Sequence, residues 1–229
     1  MNWNQSRELL RGRLFAKYDA KEAKDYDTFV GTLTAEDEDA YLTDILEAVS
    51  VLPGHKVLDV GAGSGALTKI LSRPEGVSLH ALEPSVAMCE LLRAKPALAG
   101  VKTVLGGCDR KSDKDHFAAS SFDAIVSRQV VNSLFDPLVA FQNWFEWLKP
   151  GGKAVVIDGI YGRDGWTGIW AEEVDAIPLS ACQSMATIPY LMESIGFQVD
   201  SVGWMNHANQ LTSTRTKRYM VVATKPLSS

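Results

Sequence analysis

The sequence predicts an α/β fold: one open, doubly wound, mostly parallel sheet of seven strands with helices on both faces, fronted by a helical cap. Three observations predict it. After Pro53-Gly54 the chain alternates short apolar runs with helical stretches, the pattern of successive β-α units. The run AVVID (154–158) is almost continuously apolar, as a strand covered on both faces requires. A glycine-rich turn, Gly61-Ala62-Gly63-Ser64-Gly65, joins the first of these runs to a helix. Residues 1–52 read as the cap and 53–229 as a single globular unit. A length of 229 residues suits one large domain of this kind, at about 150 residues per domain.

Residues 3–17 and 36–50 read as the cap helices. The second opens on AEDEDA, acids that suit the positive end of a helix dipole. KVLDV (56–60) is the first strand, and 64–72 a helix with Leu67, Ile70 and Leu71 on one face. VSLHAL (77–82) is the second strand, followed by a helix over 84–94 with Pro84 in its first turn. VKTVL (101–105) and FDAIVS (122–127) are the third and fourth strands. Asp136-Pro137 then sets a cap and a first helical residue. Leu138, Phe141, Phe145 and Leu148 give that helix one apolar face until Pro150-Gly151-Gly152. AVVID is the fifth strand, 184–195 a helix, and FQVDSVGW (197–204) and RYMVVATK (218–225) the last two strands. His80, inside the second strand, reads as a core histidine with its hydrogen bonds satisfied.

Composition excludes several classes. At 46% hydrophobic and 22% charged the chain is not disordered. No apolar run approaches the ~20 residues of a membrane span. The N-terminal residues carry scattered charges and no apolar core, so the expectation is a cytoplasmic protein without a secretory signal or membrane partner. Cys89, Cys108 and Cys182 form no CxxC pair, and the four histidines form no HxxxH, so no metal site is predicted. The net charge of −5 hides an asymmetry. Residues 25–55 hold eight acids and no Lys or Arg, while 201–229 hold Arg215, Lys217, Arg218 and Lys225 and no acid. Both read as solvated faces. Without a dense basic stripe, nucleic acid is not the expected partner.

The turn after the first strand should line the ligand site, because ligands of open α/β sheets lie at the carboxyl ends of the strands. Its glycines let a ligand approach the backbone closely. GAGSGA also fits the dinucleotide pattern, with Glu83 following Gly61 by 22 residues. Three features argue against a nicotinamide dinucleotide. Asp59 would oppose a pyrophosphate but welcome an ammonium group. There is no Tyr-x-x-x-Lys pair, and the chain leaves no length for a separate substrate domain.

VLDVGAGSG (57–65), LEPS (82–85), SSFDAIVSRQVVNSL (120–134) and LKPGGKAVVID (148–158), with GF at 196–197 and YMVVATKP (219–226), together resemble the class I S-adenosylmethionine-dependent methyltransferases. The likeness is to their small-molecule, ubiquinone/menaquinone-methyltransferase-like group, and runs from about Leu14 to Pro226. It implies a Rossmann-like fold, S-adenosylmethionine as cofactor, and a set of cofactor-binding residues. Asp59 and the backbone of Gly61, Ala62 and Gly63 are expected at the methionine amino and carboxylate groups. Glu83 is expected at the ribose hydroxyls, since a carboxylate offers two acceptor oxygens. Pro84 and Met88 are expected beside ribose and adenine, and Asp109, in the run Gly106-Gly107-Cys108-Asp109, at the adenine amine. Ser127, Arg128 and Gln129 are expected to face the methionine end, and Tyr18 and Tyr26 to close the cap over the cofactor.

The resemblance implies methyl transfer to O, N or C of a small-molecule acceptor by in-line displacement, with a non-catalytic cofactor-binding scaffold or an NAD-dependent oxidoreductase as alternatives. The fourth strand ends in Ser127-Arg128-Gln129-Val130, not the Asn/Asp-Pro-Pro-aromatic box of amino-directed DNA methyltransferases. The acceptor is expected between the cap and the loop 159–170, whose aromatics and glycines suit a lid. His207 is the best-placed histidine for a general base, and Arg128 or Arg163 for an acidic substrate group. Oligomeric state and acceptor identity are not legible.

Overall fold

A computed structural model describes residues 3–29, 32–166, 171, 174–211 and 216–227. Helices α1 (Trp3–Lys17), α2 (Ala20–Phe29) and α3 (Ala35–Ala48) precede the sheet. Strands β1 (Lys56–Val60), β2 (Ser78–Glu83), β3 (Lys102–Leu105), β4 (Phe122–Arg128), β5 (Leu148–Gly159), β6 (Gln198–Trp204) and β7 (Arg218–Thr224) form one sheet in the order β3-β2-β1-β4-β5-β7-β6. Only β7 runs against the others. Helices α4 (Ala66–Leu71), α5 (Val86–Arg93), α6 (Pro137–Trp147) and α7 (Thr187–Ile195) make the crossovers. The strand order reverses between β1 and β4, so a crevice opens at their carboxyl ends.

Alternate residues of the central strands feed the two faces. Leu58, Ile125 and Val156 pack on one side with Phe141, Trp144 and Trp147 of α6. Val57, Val126 and Val155 pack on the other with Tyr41 and Ile45 of α3 and Leu67 and Ile70 of α4. The buried stripe of α6 is Ala140, Phe141, Trp144 and Trp147, whereas Leu138, expected on it, is 41% exposed. The two indoles, Trp144 and Trp147, are fully buried on that stripe.

Other boundaries also moved. Helix α5 begins two residues after the expected start, because the Ser85 hydroxyl accepts the Met88 N–H and so caps it; Pro84 lies outside. Strand β5 begins at Leu148 rather than Ala154. Its Pro-Gly-Gly stretch is held by paired bonds to the tail, Gly151 N–H to Lys225 O at 2.8 Å and Lys225 N–H to Gly152 O at 2.9 Å. His80 is a core residue, edge-on to Phe122 at 5.2 Å, but its Nδ1 is buried without a partner.

The acidic run is not simply a solvated face. Asp37, Glu38 and Asp44 are buried. Asp37 closes a capping box with Thr34 at the start of α3. Glu38 pairs with Lys69 at 2.6 Å, and Asp27 on α2 with Lys95 at 2.7 Å. The Asp44 carboxylate accepts the backbone N–H groups of Asn206, His207 and Ala208. These acids fasten α2 to the segment after α5, and α3 to α4 and to the loop after β6. Arg215 of the basic tail lies outside the described residues. Among the described residues no helix is long and apolar enough to cross a membrane.

Candidate functional site

A cavity lies at the carboxyl ends of β1, β2 and β4, covered by the α1–α2 junction; its empty space, open mouth included, is about 900 Å³. Of the residues expected at the site, Tyr18, Tyr26, Gly61, Gly63, Glu83, Pro84, Met88, Cys108, Asp109, Arg128 and Gln129 line it. Asp59, Ala62 and Ser127 lie behind the wall, all buried. Phe15, Val130, Leu134 and Phe135 also line the cavity and were not anticipated; as lone apolar residues in mixed segments they carried no signal.

The glycine turn works differently from the expectation. Gly61 and Gly63 take φ of +66° and +55°, a region that disfavours side chains. Their N–H groups are already used. Gly61 and Ala62 both donate to Leu82 O, at 2.8 and 3.1 Å, and Gly63 donates to Glu83 Oε2 at 2.8 Å. The turn therefore offers a ligand closeness and carbonyl oxygens, not a cradle of amide donors. Ala62 packs with Leu92 and Leu98, so its side chain belongs to the core.

Two acids dominate the electrostatics. Glu83 accepts Ser85 N–H on Oε1 and Gly63 N–H on Oε2, both at 2.8 Å. Each oxygen keeps acceptor capacity for a hydroxyl. Burial pushes this carboxyl up to about 7 against the pull of those two bonds. Asp59 accepts the Thr68 hydroxyl on Oδ2 at 2.6 Å, while its Oδ1 is buried without a partner. Burial, with the Glu83 charge adding to it, pushes Asp59 up to about 7. Two such carboxyls side by side form a place where a cation is wanted.

On the opposite wall, Asp109 is already occupied on one oxygen. Its Oδ2 accepts Phe135 N–H at 2.8 Å and Asp136 N–H at 3.2 Å, and lies 3.1 Å from Arg11 Nη2. Only Oδ1 is left for a ligand amine. Burial pushes the Cys108 thiol well up, so it serves the cavity as an apolar surface. Tyr18 and Tyr26 meet edge-to-face at 5.9 Å. They are not on one helix: Tyr18 falls in the break after α1, and Tyr26 is on α2.

The end of β4 turns sharply. Gln129 has φ of +57°, held by its N–H bond to Ile157 O at 2.8 Å. A non-glycine residue in that region stores about 1–3 kcal/mol, which sites often do. The Gln129 Oε1, Arg128 Nε and Ser127 Oγ are buried without partners. The Arg128 guanidinium stacks 5.1 Å from the centre of the Tyr41 ring. Beside Gln129 stand three residues not assigned from the sequence, Asp158, Tyr161 and Arg218. Burial pushes Asp158 up to about 6. They come from the ends of β5 and β7 and its loop, so only the sheet register brings them together.

His207 sits away from the cavity, its Nε2 3.2 Å from Glu47 Oε1 on α3. Asp44, Glu47 and His207 offer converging ligand atoms, but Asp44 is committed to three backbone N–H groups. Arg163 is exposed and pairs with Asp175. In the expected lid, residues 159–166 are described, with Tyr161 and Trp166 edge-to-face at 6.4 Å. Residues 167–170 of that loop lie outside the described residues.

Known proteins place this chain in a family. A family model described as a methyltransferase domain matches residues 18–202. The phosphoethanolamine N-methyltransferase 1 of Arabidopsis thaliana is 33% identical over 117 residues, 50% of this chain and 23% of that protein. The demethylmenaquinone methyltransferase of Renibacterium salmoninarum is 29% identical over 160 residues, 66% of this chain and 63% of that one. The chain thus spans only about a quarter of the phosphoethanolamine relative that it matches. Among solved structures, a SAM-dependent methyltransferase from Aquifex aeolicus superposes with a TM-score of 0.65 at 19% identity, covering 90% of this chain and 98% of that one. The chain belongs to the methyltransferase-domain family, in the class I S-adenosylmethionine-dependent group.

Proposed function

We propose that the protein transfers a methyl group from S-adenosylmethionine to O, N or C of a small-molecule acceptor. The observation that carries this reading is a cavity walled by Glu83 and Arg128, with the buried Asp59 carboxyl just behind the glycine turn and its Oδ1 without a partner. S-adenosylmethionine has the complementary groups, and when bound it supplies a sulfonium methyl already attached to a good leaving group.

The residues fit that cofactor. Glu83, with an acceptor site left on each oxygen, would hold the two ribose hydroxyls. Asp59 would neutralise the methionine ammonium from behind the glycine turn, whose carbonyl oxygens accept from it. Arg128 would take the methionine carboxylate, because the turn's own N–H groups are spent inside the protein. Met88, Cys108 and Leu134 offer flat apolar surface to the adenine, with Asp109 Oδ1 for its amine. Tyr18 and Tyr26 would shut the site from water as part of a cap over residues 1–52. The chain's contribution to rate is then orientation of two bound molecules. A base is needed only where the acceptor must lose a proton.

Incubation with methyl-labelled cofactor and a metabolite extract tests turnover. Label should pass into a low-molecular-weight product. Bound cofactor with no labelled product would leave a scaffold in place of an enzyme.

A further inference from the structure

We propose that Arg218 and Tyr161 bind an anionic group, carboxylate or phosphate, on the methyl acceptor. The inference rests on the reading above that the neighbouring cavity takes S-adenosylmethionine. It begins with register. Strand β7 runs antiparallel to β5, so its first residue, Arg218, lies opposite Gly159 at the carboxyl end of the sheet. That is the same edge on which the cavity opens.

Gly159 makes the cluster possible. A Cβ built there would lie 2.7 Å from Arg218 Nη1 and 3.0 Å from the Tyr161 hydroxyl oxygen. With no side chain in the way, both groups settle over the backbone. Arg218 Nη1 donates to the Tyr161 oxygen at 2.7 Å, and Gln129 Nε2 lies 3.5 Å from that oxygen. Gln129 is itself on the cavity wall. The charges of Arg128 and Arg218 both act on the Tyr26 phenol, another wall residue. The Arg218 cluster therefore adjoins the cavity and extends it toward β5 and β7.

Arg218 has no carboxylate in direct contact: among the described residues it has no ion pair, unlike Arg11, Arg73, Arg110 and Arg163. The nearest acid in effect is Asp158, which feels the Arg218 charge and a hydrogen bond from Tyr161, and whose carboxylate also accepts the backbone N–H groups of Gly159 and Asn132, at 2.8 and 3.3 Å. A guanidinium carries five N–H donors in a planar fork shaped for carboxylate or phosphate oxygens, and Tyr161 uses one. Arg128, in the account above, is taken by the cofactor carboxylate. Arg218 is then the cation available to the second substrate, with the Tyr161 ring fixing the direction of its fork. An acceptor anchored there by its anionic end would point its nucleophile back along β4 and β5 toward the cavity. Neutral acceptors would leave a partly buried cation unpaired, which works against them.

The test is calorimetric titration of the full chain with S-adenosylhomocysteine bound, using inorganic phosphate and acetate as separate probes at constant ionic strength. At least one anion should bind the wild-type complex. Arg218→Gln should weaken that binding by about tenfold or more, leave S-adenosylhomocysteine affinity unchanged, and be partly rescued by Arg218→Lys. Phosphate binding alone would point to a phosphorylated acceptor, and acetate binding alone to a carboxylic acid. If Arg218→Gln does not fold, Tyr161→Phe serves instead, and should weaken the same anion at least about threefold. Anion affinity unchanged by these substitutions, or no anion binding to a wild-type complex that binds S-adenosylhomocysteine, overturns this inference alone. Failure of the wild type to bind S-adenosylhomocysteine overturns the cofactor reading, and this inference with it.

Discussion

Arg11 on α1 and Asp109 after β3 are 98 residues apart in sequence, yet Arg11 Nη2 lies 3.1 Å from Asp109 Oδ2 with both side chains about 95% buried. The guanidinium also stacks 5.1 Å from the centre of the Phe135 ring. This pair bolts the first helix to the cavity wall. Removing Arg11 takes the countercharge from the buried Asp109, leaving it only the Phe135 and Asp136 N–H groups; breaking a buried pair costs roughly 3–5 kcal/mol. Arg11→Leu should therefore lower stability in urea by about 3 kcal/mol and loosen the cap. A loss under about 1 kcal/mol would mean that α1 does not depend on this contact.

Two glycines in one turn should behave differently. At Gly61 a Cβ would overlap the Val130 side chain, and φ is +66°. At Gly63 φ is +55°, but a Cβ would meet nothing within 4 Å. Gly61→Ala combines conformational strain with overpacking, about 2–5 kcal/mol together. Gly63→Ala carries only the first, about 1–2 kcal/mol, but puts a methyl group into ligand space. Thermal melts should rank Gly61→Ala as the less stable, and S-adenosylmethionine titrations should show Gly63→Ala losing affinity out of proportion to its stability. Equal effects on both readouts would contradict the arrangement.

Glu83 is the acid proposed at the cofactor ribose. Glu83→Ala removes two acceptor oxygens and leaves the Gly63 and Ser85 N–H groups without their partner. Charge-assisted hydrogen bonds are each worth about 1.5–3 kcal/mol, so cofactor affinity should fall by roughly 10- to 100-fold or more. Titration calorimetry reads this directly, and a loss below about threefold would remove Glu83 from the ribose.

The raised carboxyls make a pH prediction. Asp59 and Glu83 are pushed from ordinary values of 3.8 and 4.5 up to about 7, chiefly by burial. Folding thus favours their protonated forms. The stability they contribute is complete below about pH 4 and is lost as pH rises through about 7. Asp158, raised to about 6, acts in the same direction. The free protein should melt at a lower temperature at pH 8 than at pH 5.5. A cationic ligand favours the ionised carboxylates, so S-adenosylmethionine binding at pH 6.5 should release protons. Calorimetry in buffers of different ionisation enthalpy measures this; zero release or net uptake would be inconsistent with a cation beside these acids.

Much of this was legible in the residues. The seven strands follow from apolar runs punctuated by Gly and Pro, and Asp136-Pro137 marks the start of α6 as local rules require. Glu83 and the glycine turn were visible because a strand-end acid and a strained turn leave local marks. What escaped is non-local. That the turn's N–H groups face inward depends on Leu82 in the neighbouring strand. That Asp109 is half-spent depends on Arg11 in a helix with no sequence link to it. Arg218 reads as one more basic residue in a closing strand until the β5–β7 register sets it over Gly159. The acidic run misled for the same reason, since its partners Lys69 and Lys95 lie in other segments.

The most direct test of the central claim is titration of the purified wild-type chain with S-adenosylmethionine, with NAD as the control. The account predicts saturable one-to-one binding of S-adenosylmethionine, weakened by Glu83→Ala, and no binding of NAD. No heat with millimolar S-adenosylmethionine, or binding of NAD in its place, would contradict it.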